Sequence, residues 1–325
     1  MKARALSLMS GGLDSMLAVK VLQDQDIEVE GITFQTPFFG PEAAQKAAEQ
    51  LGVFLRVVDI GQAHLEMLKN PRYGYGSQMN PCIDCHALML NTAGRIMTEE
   101  GYDLLATGEV VGQRPMSQRR DALMAVDKLS GFGGYILRPL SARLLPVTIP
   151  EQEGKVDRDR LLKIHGRSRK KQMALARHYG IKEYPSPGGG CLLTKEGFAD
   201  RLKNLLALKE KVELRDVELL KWGRHFRLVN GSRLVVGRVH ADNVKLRELA
   251  LLDEVILKVK GIPGPTGLLQ SGASADEMRT AAEIVAAYSD AETGSKVVVA
   301  IASGRNSSEI SITTVRKDVF RQLLI

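Results

Sequence analysis

The sequence predicts an α/β fold: a parallel sheet with helices on both faces, followed by a smaller C-terminal α+β domain. Three observations carry this. Short apolar runs alternate with helix-like segments through residues 1–180. A glycine pair, Gly11-Gly12, joins the first run to the first helix. Beyond residue 220 the texture changes to closely spaced strands, with Asn230-Gly231 as a hairpin signal. In order, residues 5–9 form a strand-length apolar run, and 13–22 read as the helix that follows the glycines. Runs 29–34, 54–58 and 104–107 read as further strands, with helices at 41–51, 86–99 and 169–179. Residues 128–154, rich in Gly and Pro, read as irregular. A helical stretch runs from 201 to 221. Strands follow at 226–229, 233–236 and 254–259, then a loop at 262–267, a helix at 278–287, and strands at 296–301 and 309–314. The domains are set at 1–205 and 206–325.

The chain has 325 residues and a net charge of +7. That length supports a substantial core and more than one domain. The basic excess leans to the tail: residues 1–200 hold 25 Lys/Arg against 23 Asp/Glu, and residues 201–325 hold 20 against 15. A mildly basic surface suits an anionic partner without naming one. No apolar run has the length of a membrane span, and the chain opens directly on a strand-like run, so a cytoplasmic protein is the expectation. Three cysteines, an odd number, argue against a disulfide framework and leave metal ligation or sulfur chemistry.

Ser10-Gly11-Gly12-Leu13-Asp14-Ser15 stands between a strand and a helix N-terminus. Two glycines let backbone approach an anion, and the free N–H groups of the helix start favour phosphate. Ser10 and Ser15 add hydroxyls, and Asp14 is placed to hold a magnesium ion. The plain alternative is a glycine turn with ordinary serine and aspartate caps. The loop is no Walker A motif, since Gly-Lys-Ser/Thr is missing, and it lacks G-x-G-x-x-G spacing. It resembles the PP-loop of the ATP pyrophosphatase superfamily. The resemblance implies ATP with Mg2+, cleavage between the α- and β-phosphates, and AMP left on a substrate oxygen. Thr107-Gly108-Glu109 follows another strand, at the end of the sheet where ligands sit. Gly108, Glu109 and Gln113 are therefore candidates for the second wall of the nucleotide site, with an N-cap or a loop salt bridge as the plain reading of Glu109 and Gln113.

Asn80-Pro81-Cys82-Ile83-Asp84-Cys85-His86 is a C-x-x-C at a helix start, a position that lowers thiol pKa. Cys191 ends the run Gly188-Gly189-Gly190. Two unrelated buried cysteines and a glycine linker are the plain reading. C-x-x-C after a PP-loop resembles the tRNA thiouridine synthases. Thr107-Gly108-Glu109 with Gly112-Gln113 and Ser117-Gln118 is similar to the 4-thiouridine enzymes of the thiI type. Ile164 to Arg169 and the glycine-cysteine segment resemble 2-thiouridylases. The likeness covers residues 1–200. It implies tRNA as partner, a sulfur donor, and Cys85, Cys191 and Asp14 as catalytic residues. Two sulfur routes fit. In one, Cys82, Cys85 and Cys191 ligate a [4Fe–4S] cluster with one iron left open, and the confinement of all three cysteines to these motifs suits it better. In the other, Cys85 and Cys191 work as a persulfide pair. Zinc with His86 is a third and poorer choice.

Arg114, Arg119 and Arg120 follow the second loop, and Arg167, Arg169, Lys170 and Lys171 form the densest charge run. Either suits RNA phosphates, though such runs are commonly a solvated helix face. Arg224 to Leu228, with Leu234 to Arg238 and Asn243, is similar to the RNA-binding domain of the NFACT family, which implies the RNA grip that the first domain lacks. A dimerisation domain is the plain alternative, and a homodimer stays open. The expected function is an ATP-dependent tRNA sulfurtransferase making 2- or 4-thiouridine. Its rivals are a PP-loop ligase adding nitrogen to a small molecule and a non-enzymatic, nucleotide-gated RNA-binding protein.

Overall fold

The structure, a computed structural model, describes residues 2–186, 190–208 and 211–325. Gly188 and Gly189 of the glycine run lie outside the described residues. The chain divides into two units, Met1–Thr194 and Lys195–Ile325. The first runs β1 (Arg4–Leu8), α1 (Leu13–Gln23), β2 (Glu28–Gln35), α2 (Glu42–Leu51), β3 (Leu55–Asp59), α3 (Gly61–Lys69), α4 (Cys82–Glu100) and β4 (Leu104–Thr107). It continues with α5 (Arg120–Ser130), β5 (Ile136–Leu137), α6 (Ile149–Gln152) and α7 (Lys170–His178).

The five strands pair in the order β3-β2-β1-β4-β5, all parallel. Successive side chains of a strand point to opposite faces. Ala5 of β1 accordingly joins a core with α1, α2 and α7, and Leu6 joins a second core with α4 and α5. Both faces are thus covered, as expected of a parallel sheet. The strand order reverses between β1 and β4, and a crevice opens at such a reversal beyond the carboxyl ends. The glycine loop after β1 and the loop after β4 both leave from there.

The second unit runs α8 (Glu196–Leu208), α9 (Leu214–Leu219), β6 (Arg224–Arg227), β7 (Arg233–Val236), α10 (His240–Leu249) and β8 (Val255–Val259). Then come β9 (Gly267–Leu269), α11 (Ala275–Ala287), β10 (Lys296–Ser303) and β11 (Asn306–Thr313). Its six strands form an antiparallel sheet, β11-β10-β8-β9-β7-β6. α11 packs Ala281, Ala282 and Val285 against one face with Phe226, Leu257 and Val299. Val235 and Leu268 turn to the other face and meet Leu219 and Leu246.

The division falls at Thr194/Lys195 rather than 205/206, because α8 bonds into the second unit: Arg201 Nε donates to Leu220 O at 3.1 Å, and Arg227 donates to Asn204 Oδ1. The segment read as irregular from 128 begins inside α5 and contains β5. Among the described residues no helix is long and apolar enough to cross a membrane.

Candidate nucleotide and sulfur site

The glycine loop holds the shape the sequence demands. Gly11 sits at φ +78°, and a Cβ there would lie 2.3 Å from the carbonyl carbon of Ala43. Gly12 is the N-cap of α1 and supplies no side-chain cap; Ser15 N turns back to Gly12 O at 3.1 Å, which leaves the N–H groups of Leu13 and Asp14 uncapped among the described residues. Gly12 N donates to Ser10 Oγ at 3.4 Å. Ser15 is a correction to the expectation that both serines offer hydroxyls: its buried Oγ donates back to Gly12 O at 2.8 Å and braces the turn. Gly108 lies directly against this helix start, where a Cβ would stand 2.4 Å from Ser15 N. The two loops therefore touch only because position 108 carries no side chain.

Asp14, in the first turn of α1, accepts from Gln113 Nε2 at 2.6 Å. Gln113 Oε1 in turn accepts from Gln172 Nε2 of α7 at 2.9 Å. The segment entering α7 is held there by Gly166 N donating to Val111 O at 2.8 Å. Asp14 Oδ1 is buried with no partner, as are Gln172 Oε1 and Arg169 Nε. Burial pushes the Asp14 carboxyl above its ordinary value, against the opposing pull of Gln113, Arg169, Gln172 and Arg114.

Glu109 departs from its expected role at the nucleotide. Its carboxylate is buried and taken up within the protein: His86 Nδ1 lies 2.8 Å from Oε1, while Arg138 Nε at 2.9 Å and Thr107 Oγ1 at 3.1 Å donate to Oε2. Burial alone would raise its pKa, but Arg138 and His86 overcome that and hold it to about 2. Arg138 also donates to both oxygens of Asp127, at 3.0 and 2.8 Å. The loop salt bridge is the reading that fits Glu109. His86 faces this carboxylate through Nδ1.

Cys82 and Cys85 fall on the first turn of α4, as read from the sequence, and Pro81 caps it with no side-chain bond. Asp84 between them accepts from the backbone N–H of Arg72 at 2.7 Å and Tyr73 at 3.0 Å, folding the preceding loop over the helix start. Asn80 Nδ2 donates to Cys82 Sγ at 3.3 Å. Cys85 Sγ lies 3.2 Å from His64 Nε2 of α3. His64 is fully buried against Phe38 and Phe39, and desolvation lowers its pKa to about 4, so the ring is neutral. Cys191 reaches the same place: Leu192 N donates to Phe38 O at 3.1 Å. All three cysteines are unpaired thiols. At Cys85 the expectation of a low thiol pKa at the helix start is not met. Burial pushes Cys85 well up, and neighbouring Cys191 and Cys82 push it further; burial takes Cys191 to about 11. Desolvation outweighs the helix end at Cys85. Among the described residues no group of three His, Cys, Asp or Glu is arranged to hold a metal ion.

The basic residues separate. Arg114 and Arg169 lie within electrostatic reach of Asp14. Arg119 pairs with Asp121 at 2.8 Å. Arg120, Arg167, Lys170 and Lys171 are exposed. Sequence reading missed His64, Arg138 and Gln172. Gln172 gave a weak signal as the third residue of a helix that begins in the noted basic run.

Residues 1–143 match the family described as thiamine biosynthesis protein (ThiI), and residues 223–323 match the NFACT protein RNA binding domain. Similar proteins include tRNA-specific 2-thiouridylases MnmA. That of Pelobacter propionicus is 34% identical over 117 residues, 31% of each chain. That of Rippkaea orientalis is 33% identical over 158 residues, 43% of this chain and 44% of its own. The chain spans about a third of the length of the first such relatives. A solved 4-thiouridine synthetase–RNA complex with bound ATP is 24% identical, covering 42% of this chain and 36% of its own, at a TM-score of 0.34. The chain is thus similar to the ThiI family over its first unit and to the NFACT RNA binding domain over its second.

Proposed function

We propose that this protein is an ATP-dependent tRNA sulfurtransferase that replaces a uridine carbonyl oxygen with sulfur. The observation that carries the reading is the tie between its two halves. Gly108 lies against the PP-loop helix, and the next residue, Glu109, binds His86, the neighbour of Cys85. Two consecutive residues after β4 therefore link the glycine loop and the thiol helix.

A uridine carbonyl oxygen is a poor leaving group. In the first step it attacks the α-phosphorus of ATP; the O–P bond forms, the bond to the β-phosphate oxygen breaks, and pyrophosphate departs. Sulfur then attacks the activated carbon, the C–O bond breaks, and AMP carries the oxygen away. The uncapped N–H groups of α1 and the slim Gly11-Gly12 backbone suit the phosphates. The unpartnered Asp14 Oδ1 fits a magnesium ion, which Asp14 would hold and which would supply positive charge against the phosphates. Gln113 and Gln172 fix the orientation of Asp14.

Cys82, Cys85 and Cys191 are the sulfur-handling set. Three thiols that sense one another suit a [4Fe–4S] cluster in donor chemistry, and such a cluster supplies an open iron for sulfide. Among the described residues no metal-holding trio is preformed, so ligation would draw the sulfurs together and release their protons. In the persulfide route the terminal sulfur of one cysteine attacks the adenylated carbon. The second thiolate then attacks the cysteine sulfur, frees the thiouridine, and leaves a disulfide that an external dithiol reduces.

The test is nucleoside mass spectrometry of tRNA incubated with the protein, ATP, Mg2+ and either sulfide after anaerobic iron reconstitution or a persulfide donor in iron-free aerobic buffer. A 2- or 4-thiouridine peak that needs ATP supports the reading, and the arm in which it forms selects the sulfur route. Its absence in both arms overturns the proposal.

A further inference from the structure

The hairpin of the second unit ends on an unfavourable pair. Arg227 of β6 and Arg233 of β7 stand directly opposite one another. Opposed residues of an antiparallel pair share a face, and like charges there repel. Arg227 donates to Gly231 O at 2.9 Å and to Asn204 Oδ1, and its Nε is buried with no partner. The Arg233 guanidinium has no hydrogen-bond or ion-pair partner among the described residues, although Asp216 and Glu254 act on it from a distance. A third guanidinium, Arg201 of α8, bonds only the carbonyl of Leu220. Arg201 and Arg233, with Arg238, bear electrostatically on the buried His225. All three arginines are half-buried. Arg215 and Arg238 of the same unit differ: Glu254 neutralises the first, and Asp242, at 3.0 Å, the second.

We propose that Arg201, Arg227 and Arg233 form a clamp for RNA backbone phosphates. The proposal rests on the tRNA reading above and adds the side chains that grip. Partly desolvated cations without a counterion weaken the free protein, and an incoming anion removes that cost. Guanidinium forks match phosphate oxygens two by two, which a lysine cannot do. A nucleic-acid backbone supplies single negative charges in regular succession, and the strand pairing sets Arg227 and Arg233 side by side to meet them.

The test uses the full chain and an unmodified tRNA transcript, with fluorescence anisotropy over a series of salt concentrations. Arg233→Gln is expected to weaken binding roughly 5- to 10-fold near ~0.1 M salt and to lower the slope of log affinity against log salt by about one. Its melting temperature should hold or rise, because repulsion with Arg227 is relieved. Arg316→Gln, which removes an exposed guanidinium paired with Asp318, is the charge-matched control and should bind as wild type. Unchanged affinity and slope in Arg233→Gln, or a loss equal to that of Arg316→Gln, overturns the clamp while leaving the sulfurtransferase reading intact. A lowered melting temperature also overturns it, since the cluster would then be structural. Tight binding of a polyglutamate competitor in place of tRNA assigns the site to acidic protein and overturns it too. If the wild type binds no tRNA, the functional reading falls with it.

Discussion

Asp14 and Glu109 are carboxylates at the same end of the same sheet, and their surroundings are opposite. Glu109 has both oxygens bonded by His86, Arg138 and Thr107, and its pKa is held to about 2. Asp14 has one oxygen bonded by Gln113 and the other buried without a partner, and its pKa is pushed up. Arg169 Nε and Gln172 Oε1 beside it are likewise unmet. Buried polar groups are nearly always satisfied, so a cluster of unmet ones marks a place that a ligand completes. On the proposed function, the Glu109 knot acts as scaffold and the Asp14 pocket as site. The contrast makes a simple rule: change at Asp14 should cost activity and spare stability, and change at the knot should do the reverse.

The largest effect tests the first half of that rule. Asp14→Ala should lower ATP-dependent tRNA thiolation on the order of 10⁴-fold, between about 5 and 6 kcal/mol of barrier. Its melting temperature should not fall, because a desolvated carboxylate is removed. A variant that keeps its activity, or loses it only by unfolding, breaks the comparison. Next in size, Arg138→Met should cost about 4 kcal/mol of unfolding free energy, since it strands two carboxylates, Glu109 and Asp127, without their shared cation. Denaturant unfolding followed by circular dichroism measures it. Glu109→Gln should cost less, roughly 3 kcal/mol at neutral pH, the equivalent of its depressed pKa.

Much of this architecture was legible in the chain. Strand runs, the glycine turn and the C-x-x-C helix start are local patterns, and β1, β4, α1 and α4 follow from them. The β6–β7 hairpin followed from Asn230-Gly231, with Gly231 at φ +98°. What escaped is non-local. α3 is short, and its buried apolar residues Leu65 and Leu68 are too few to announce a helix, so His64 stayed hidden although it touches Cys85 across 21 positions. The state of the thiols depends on burial, which a helix-start argument does not contain. Glu109 showed its motif but not its partner Arg138, which lies 29 residues away.

Gly108 sharpens the comparison because it touches the site without belonging to the knot. Gly108→Ala would place a methyl group 2.4 Å from Ser15 N and would force β4 and α1 apart at the PP-loop. The expected cost is about 2 kcal/mol, falling mainly on ATP affinity. Calorimetric titration with ATP against melting temperature divides the two. A loss confined to stability would place Gly108 with the scaffold.

The smallest effect is the most direct comparison, because the two carboxylates titrate with opposite sign. A carboxyl whose folded pKa is raised favours the fold when protonated, so Asp14 adds stability below its unfolded value near 3.8 that is lost as pH climbs through the raised value. Glu109 is depressed, so its contribution is complete above its unfolded value near 4.5 and is lost as pH falls through about 2. Unfolding free energy measured across pH 2 to 7 should therefore lose its decline with rising pH in Asp14→Asn and lose its acid collapse in Glu109→Gln. Each variant should leave the other limb in place, since the two groups sit in separate hydrogen-bond networks and independent sites add. An Asp14→Asn profile that matches wild type would mean that water or a bound cation already relieves Oδ1, and the division between site and scaffold would then need a different boundary.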